Sequence, residues 1–190
     1  MAPERDPLSI AIRPYFSADA ESLVEAVLES VEQVRPWLQW CHHGYDLKEA
    51  RDWIARCEQN RQGGTEYNFT IVGGSGRLLG GCGLNQLRPE HRLANLGYWV
   101  RTSATGHGVA AAAVRALSDF AFRETDLIRL ELVVAAGNEA SHRVARNVGA
   151  LNESIAHDRL YVHGKAHDAV IYALLRSRHP ASEQLSPDAR

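Results

Sequence analysis

Gly106 and Gly108 bracket a single histidine, and the five residues after them are one valine and four alanines. Glycines at the start of a helix let an anion reach backbone N–H groups that have no partner inside the helix. The helix dipole adds about half a positive charge at that end. No lysine is needed for such chemistry. The segment reads as an anion cradle, for phosphate above all. The plainer alternative is a structural loop before an alanine-rich helix, which glycine and alanine propensities would produce unaided. Gly106-x-Gly108-x-x-Ala111 also fits the dinucleotide fingerprint in form. Context speaks against that match, because the fingerprint turn follows the first strand of a parallel sheet almost directly. Here about five residues separate the apolar stretch ending at Val100 from Gly106, and strands joined by short links precede it. A phosphate loop of the Gly-Lys-Ser/Thr kind is absent.

Other residue types that could do chemistry read more plainly. Cys82 sits in "GGCG" with no identifiable base beside it, so it reads as a small strand residue rather than a nucleophile. The nine histidines include the pair His42 and His43 and the group His157, His163 and His167, but neither HExxH nor a Cys/His zinc spacing occurs. No metal site is expected. Cys41, Cys57 and Cys82 are odd in number and lie in helix-like or strand-like segments, which favours a reduced compartment over a disulfide framework.

The elements that must position the glycine loop can be laid out along the chain. "SIAIRPYF" is a half-buried strand closed by Pro14, and Leu23, Val24, Val27, Val31 and Val34 fall at helical spacing before Pro36. Asp46 and Glu49 open a second helix with the face Ala50, Trp53, Ile54 and Cys57. Three strands follow in "EYNFTIV", "RLLGGCGLNQL" and "ANLGYWV", and their short links imply an antiparallel meander. The alanine helix then leads into strand "RLELVVAA", a βαβ crossover that makes its two strands parallel neighbours. A short helix from Ala140 to Val148 stops at Gly149, and two strands, near Ser154–Val162 and Asp168–Leu175, flank a turn at His163-Gly164. The fold class is α+β: a mixed, mostly antiparallel sheet of about seven strands with a central parallel pair and helices on both faces. One domain over 1–178 is expected, and the polar stretch 179–190 is expected to be a disordered tail.

Composition narrows the class. Hydrophobic residues make up 45% and charged residues 23%, an ordinary globular mixture, and no apolar run approaches the roughly 20 residues of a membrane span. The N-terminal MAPERDPLS has no apolar region behind its charges, so the cytoplasm is the expected location. A net charge of −2 with interspersed signs offers no clustered basic face for nucleic acid.

Five stretches in order, "RPWLQW", "LGYWV", "SATGHG", "NEASHRVARNVGA" and "YVHGKAHDAVIYALL", resemble the GNAT superfamily of acyl-coenzyme A-dependent N-acetyltransferases. Within it they are most similar to the ribosomal-protein-alanine acetyltransferase (RimJ/RimL-like) branch. The resemblance spans about Ser9 to Leu175. It implies acetyl-CoA as co-substrate and a GNAT-like sheet whose parallel pair splays to admit the thioester. The family's loop pattern falls on Ser103-x-x-Gly106-x-Gly108, so Val100, Ser103, Thr105, Gly106, His107, Gly108, Val109 and Ala110 become cofactor-binding candidates, chiefly through backbone amides. Asn138 and Ser141 match the family's N-x-x-S. The match makes Ser141 the catalytic candidate, a weak acid for the departing thiolate, with Asn138 and Arg143 beside the cofactor. Arg146 is a further candidate for the phosphates.

Ser141 also has a bland reading as a helix cap. Tyr98 and Trp99 alternate along a strand, so one of them is expected to face the cofactor. Trp37 and Trp40 divide between core and acceptor wall. Three departures from the family are Ser103 for Gln/Arg, Asn95 where many relatives carry an acid, and Ala150 for an aromatic. The implied activity is acetyl transfer to a primary amine, such as the N-terminal α-amine of a peptide or protein, by direct attack in a ternary complex. Acetylation of a small-molecule amine or antibiotic is an alternative, as is an acyl-CoA-binding module without turnover. A homodimer is an open option, and Glu66, Asp158 or an ordered water are candidates for the base.

Overall fold

The computed structural model describes residues 9–179. Residues 1–8 and 180–190 lie outside the described residues, and with them all but the first residue of the expected tail. The strands are β1 (Ile10–Arg13), β2 (Tyr67–Gly73), β3 (Leu78–Arg88), β4 (Leu93–Val100), β5 (Arg129–Ala135), β6 (Leu151–Val162) and β7 (Lys165–Leu175). Helices α1 (Ala20–Val34) and α2 (Leu47–Gly63) follow β1, α3 (Val109–Glu124) joins β4 to β5, and α4 (Glu139–Asn147) follows β5.

These elements form an open mixed sheet of seven strands in the order β1-β2-β3-β4-β5-β7-β6, and every neighbouring pair is antiparallel except β4 with β5. The alanine helix is thus the crossover of a parallel pair, as the βαβ spacing predicts. The last two strands begin three residues earlier than the sequence pattern suggests, because each carries polar residues on an exposed stretch where no apolar alternation marks a start.

Two cores flank the sheet. One holds Val109, Ala113, Val114, Leu117, Ala121 and Phe122 of α3 against Phe69, Ile71, Leu84, Leu96, Leu130 and Leu132. The other holds Leu23, Val27 and Val31 of α1 and Ala50, Ile54 and Cys57 of α2, with Tyr15 and Leu78. Side chains alternate along a strand, so Tyr98 packs with the first core and Trp99 with the second. The small residues of α3 sit where the helix backbone comes down on the sheet, with Ala113 and Ala121 fully buried.

Two features of the sheet prepare the site. The parallel ladder is short: β4 and β5 pair only at Leu93–Arg129, Ala94–Leu130 and Asn95–Glu131. From Leu96 onward β4 keeps its bonds to β3 but has no partner on the β5 side, so the sheet opens there. Secondly, β3 is stripped of side chains below the opening. A Cβ on Gly81 would run into the Tyr15 hydroxyl and the Trp99 indole, and one on Gly83 into the Asn68 amide.

Candidate active site

The opening between β4 and β5 continues into a cavity of about 1200 Å³ that reaches both faces of the sheet. Its walls come from the 104–111 segment, β4, β5 and the start of α4 on one side, and from the end of α1, the loop after it and α2 on the other.

The glycine segment enters this cavity from a firmly held base. Arg101, only 2% exposed, donates from Nε to Glu29 (2.9 Å), from Nη2 to Glu25 (2.7 Å) and from Nη1 to the Leu78 carbonyl (3.1 Å). Glu29 also accepts from the Ser103 amide at 2.7 Å, and Ser30 Oγ accepts from the Thr102 amide at 3.1 Å. The Arg101 guanidinium pulls the Glu29 carboxyl down to about 2, with the Ser103 amide adding to the effect. The turn at 102–104 is therefore tied to α1 by charge-assisted hydrogen bonds.

Beyond the tether the chain turns through Gly106 (φ 76°) and Gly108 (φ 79°), both left-handed, and a Cβ at either would meet nothing within 4 Å. Packing does not demand glycine here; the backbone conformation does. The first backbone bond of α3 that reaches back into the loop is Ala112 N to Gly108 O, at 3.0 Å. Among the described residues the amides of 106–111 donate to no protein acceptor, and five of these six residues line the cavity. A row of unpaired N–H groups at a helix N-terminus is a site for an anion.

At the other side of the opening, α4 begins with Asn138, whose side-chain oxygen accepts from the Ser141 amide at 3.1 Å. The cap is therefore Asn138, and the Ser141 hydroxyl, which lines the cavity, makes no hydrogen bond among the described residues. The capping reading of Ser141 fails on this point. The turn before α4 is locked by buried His142, whose Nε2 lies 3.1 Å from the Ala136 carbonyl and Nδ1 3.0 Å from Tyr172 Oη. A carbonyl only accepts, so Nε2 carries the proton and Tyr172 donates to Nδ1.

The second half of the cavity is aromatic. Trp37, Trp40, Tyr45, Trp53 and Trp99 line it, with Trp40 edge-on to Trp99 (5.5 Å) and to Tyr45 (6.3 Å). The β6–β7 hairpin leans on this region, where Gln39 donates to the Tyr161 carbonyl at 2.9 Å and His163 to the Arg35 carbonyl at 2.7 Å.

Of the residues proposed from the sequence, Val100, Thr105, Gly106, Gly108, Val109, Ala110, Asn138, Ser141 and Arg143 converge on the cavity. Ser103, His107 and Arg146 do not line it, and the Ser103 amide is committed to Glu29. Glu66 and Asp158 also lie off its wall: Glu66 accepts from Asn60 (3.0 Å) and Asn68 (3.1 Å), and the Asp158 amide is bound to Asp168 (3.0 Å). Tyr98 and Trp99 both line the cavity, one from each face of the sheet, because the opening cuts through it.

Sequence reasoning missed Arg101, Tyr98 as a buried hydroxyl, and the cavity-lining group Tyr45, Glu49, Asp52, Arg56 and Arg159. Burial pushes the thiols of Cys41 and Cys57 up, to about 11 and about 12, and raises that of Cys82 as well. Among the described residues no group of three or more His, Cys, Asp or Glu is placed to hold a metal, and no helix is long and apolar enough to cross a membrane.

An anion cradle, a splayed parallel pair and a serine facing the gap match a known architecture, and residues 9–151 match the acetyltransferase (GNAT) domain model. The chain belongs to the GNAT acetyltransferase family. It is 34% identical over 170 residues to YdaF of Bacillus subtilis (strain 168), a protein provisionally named a ribosomal N-acetyltransferase, covering 88% of this chain and 91% of that one. The ribosomal-protein-serine acetyltransferase of Escherichia coli (strain K12) is 24% identical over 160 residues, covering 82% and 89%. Mycobacterium smegmatis RimJ, solved with CoA-disulfide, superposes with a TM-score of 0.82 at 25% identity over 93% of this chain and 87% of that one. This GNAT protein is an acetyl-CoA-dependent N-acetyltransferase, and acetyl-CoA is its co-substrate.

Proposed function

We propose that this GNAT protein acetylates the N-terminal α-amine of a peptide or protein by direct attack on acetyl-CoA within a ternary complex. In this reading the amides of Gly106 to Ala111 and the Arg143 guanidinium hold the phosphates of the co-substrate, and the gap beyond Asn95 receives the thioester arm. The amine nitrogen bonds to the carbonyl carbon, the carbon–sulfur bond breaks with its electron pair on sulfur, and the Ser141 hydroxyl protonates that sulfur. The proton shed by the nitrogen passes to solvent, from which Ser141 regains its own. A covalent acyl-enzyme has little support, since all three thiols are buried with raised pKa values.

The observation that carries the α-amine reading is the state of the carboxylates. Among the described residues Glu49 and Asp52 are the acids lining the cavity, and each is already engaged, Glu49 with His42 at 3.2 Å and Asp52 with Lys48 at 2.7 Å. A site without an uncommitted carboxylate favours an amine that loses its proton easily. An α-amine titrates near 7.8 and a lysine near 10.4, so exposing the lysine lone pair at neutral pH costs about 3.5 kcal/mol more. The name of YdaF, a ribosomal N-acetyltransferase, supports a protein as the acceptor.

The test is a competition, at near-neutral pH, between a peptide with a free N-terminus and blocked lysines and its counterpart with the blocks reversed. Acetylation of the first is the expected result. Preference for the second overturns the α-amine reading, and activity on neither transfers support to a small-molecule acceptor.

A further inference from the structure

The Tyr98 side chain lines the cavity, yet its hydroxyl oxygen has no solvent-accessible surface and no hydrogen-bond partner among the described residues. A buried hydroxyl left unpaired is costly, so its persistence calls for a partner in some other state of the molecule. The position is fixed from both sides. Tyr98 lies opposite Cys82 in the β3–β4 ladder, on the stretch of β4 that has parted from β5, and its ring packs into the α3-side core. Across the gap stands Ser141 on the first turn of α4, its amide held by Asn138 and its own hydroxyl unbonded. Burial pushes the Tyr98 phenol up, and the Ser141 hydroxyl beside it draws it part of the way back.

We propose that Tyr98 is a positioning residue for thiolate departure: when coenzyme A occupies the gap, Tyr98 Oη–H donates to Ser141 Oγ, and Ser141 Oγ–H is thereby aimed at the sulfur. The inference rests on the assignment of Ser141 as the group beside the sulfur. Accessibility decides between this arrangement and direct contact. An oxygen that solvent cannot touch is also out of reach of the sulfur, whereas Ser141 neighbours Tyr98 and lies on the cavity wall. In the free protein, among the described residues, only the neighbouring Tyr98 bears on the serine hydroxyl. Once it donates to sulfur, its lone pairs become better acceptors, and a chain of two hydrogen bonds strengthens cooperatively. Tyr98 keeps its proton throughout.

The test reads the bound thiol itself and needs no acceptor. Coenzyme A is bound to the wild type, Tyr98→Phe, Ser141→Ala and the double variant. The ultraviolet absorbance of its thiolate is followed through the alkaline range against the same protein holding desulfo-coenzyme A, which cancels the tyrosines. Donation to the thiolate lowers the bound thiol's pKa, so Ser141→Ala raises it by about one unit and Tyr98→Phe by about half a unit or more. In the Ser141→Ala background, Tyr98→Phe produces no further rise. The melting temperature of the free Tyr98→Phe protein stays level or increases, because the deleted oxygen has no bond to lose there. An unshifted thiol in Tyr98→Phe, with the Ser141→Ala shift present, overturns the role of Tyr98 alone. Additive shifts in the double variant overturn action through Ser141, and an unshifted thiol in Ser141→Ala removes both assignments. A lower melting temperature with weakened coenzyme A binding overturns the proposal in favour of a purely structural tyrosine.

Discussion

At one end of the cavity, around residues 105–111, the ligand-facing groups are backbone amides set by two left-handed glycines and one helix start. At the other end they are side chains drawn from the close of α1, the loop after it, α2 and β6: Trp37, Trp40, Tyr45, Trp53, Arg56 and Arg159. The first end is one contiguous segment whose chemistry does not depend on side-chain identity. The second is assembled from residues more than a hundred positions apart, and its chemistry is entirely that of its side chains. An end of the first kind suits the part of the reaction shared with relatives, the co-substrate. An end of the second kind suits selection of an acceptor.

The sharpest way to break this comparison is to put a side chain and a negative charge on the amide end. Gly106→Asp is expected to abolish measurable acetyl-CoA binding in calorimetry while the protein stays folded, since open space surrounds the position. Gly149→Asp is the control: its φ of 75° imposes the same backbone strain, but it lies outside the cavity. Both variants are expected to lose about 1 kcal/mol of stability, and Gly149→Asp to bind acetyl-CoA normally. Equal binding by the two proteins would remove the anion cradle.

The next effect is on the tether. Arg101→Ala strips the guanidinium from Glu29 and Glu25 and removes a donor to the Leu78 carbonyl, at an expected cost of about 3 kcal/mol in urea unfolding. Acetyl-CoA affinity is expected to fall with it, about tenfold, because the 102–104 turn is no longer fixed to α1. A stability loss with unchanged affinity would mean that the amide end orders itself without α1.

This contrast also explains what could be read from the chain alone. Gly106, Gly108 and the alanines are local signals, and the βαβ spacing around them dictates a parallel pair, so the glycine turn, the helix after it and the parallel pair are legible in the sequence. The splay came only with the family resemblance, because the register that ends at Asn95–Glu131 depends on how two distant strands pair. Arg101 was invisible for a related reason: an arginine after a strand reads as a solvated charge until Glu25 and Glu29, some seventy positions earlier, are found beside it. Glu66 and Asp158 looked like bases only because nothing in a linear sequence shows which acids a fold turns away from a cavity.

The aromatic end offers a smaller effect that sharpens the division. Trp40 is 40% exposed and makes edge contacts to Trp99 and Tyr45, so Trp40→Ala costs little stability. Its expected consequence is an acceptor KM raised about tenfold with kcat nearly unchanged, the pattern of lost uniform binding, and an unaltered acetyl-CoA Kd. A variant that weakens acetyl-CoA and spares the acceptor would reverse the roles given to the two ends.

The smallest expected effect is one of acid, and it belongs to the amide end alone. Glu29 titrates near 2 in the folded protein against an ordinary value of 4.5, because the Arg101 guanidinium beside it favours the carboxylate. A folded-state pKa below the unfolded one means that the folded state binds the proton less readily. The stabilisation is fully present above about 4.5 and drains away as the pH falls from there toward 2. Asp19 beside Arg13 and Glu153 beside Arg129 are lowered too and contribute in the same direction, so the total acid lability is not diagnostic. The difference between wild type and Arg101→Met is. With the guanidinium gone, Glu29 returns toward its ordinary value, and the two stability-versus-pH curves should converge below pH 4.5 and stand apart above it. Glu29 is partly solvent-exposed, so the gap is modest and shrinks in high salt. Urea unfolding of both proteins across that acidic window measures it directly. Parallel curves would show that Arg101 holds the loop by packing its stem rather than through its charge.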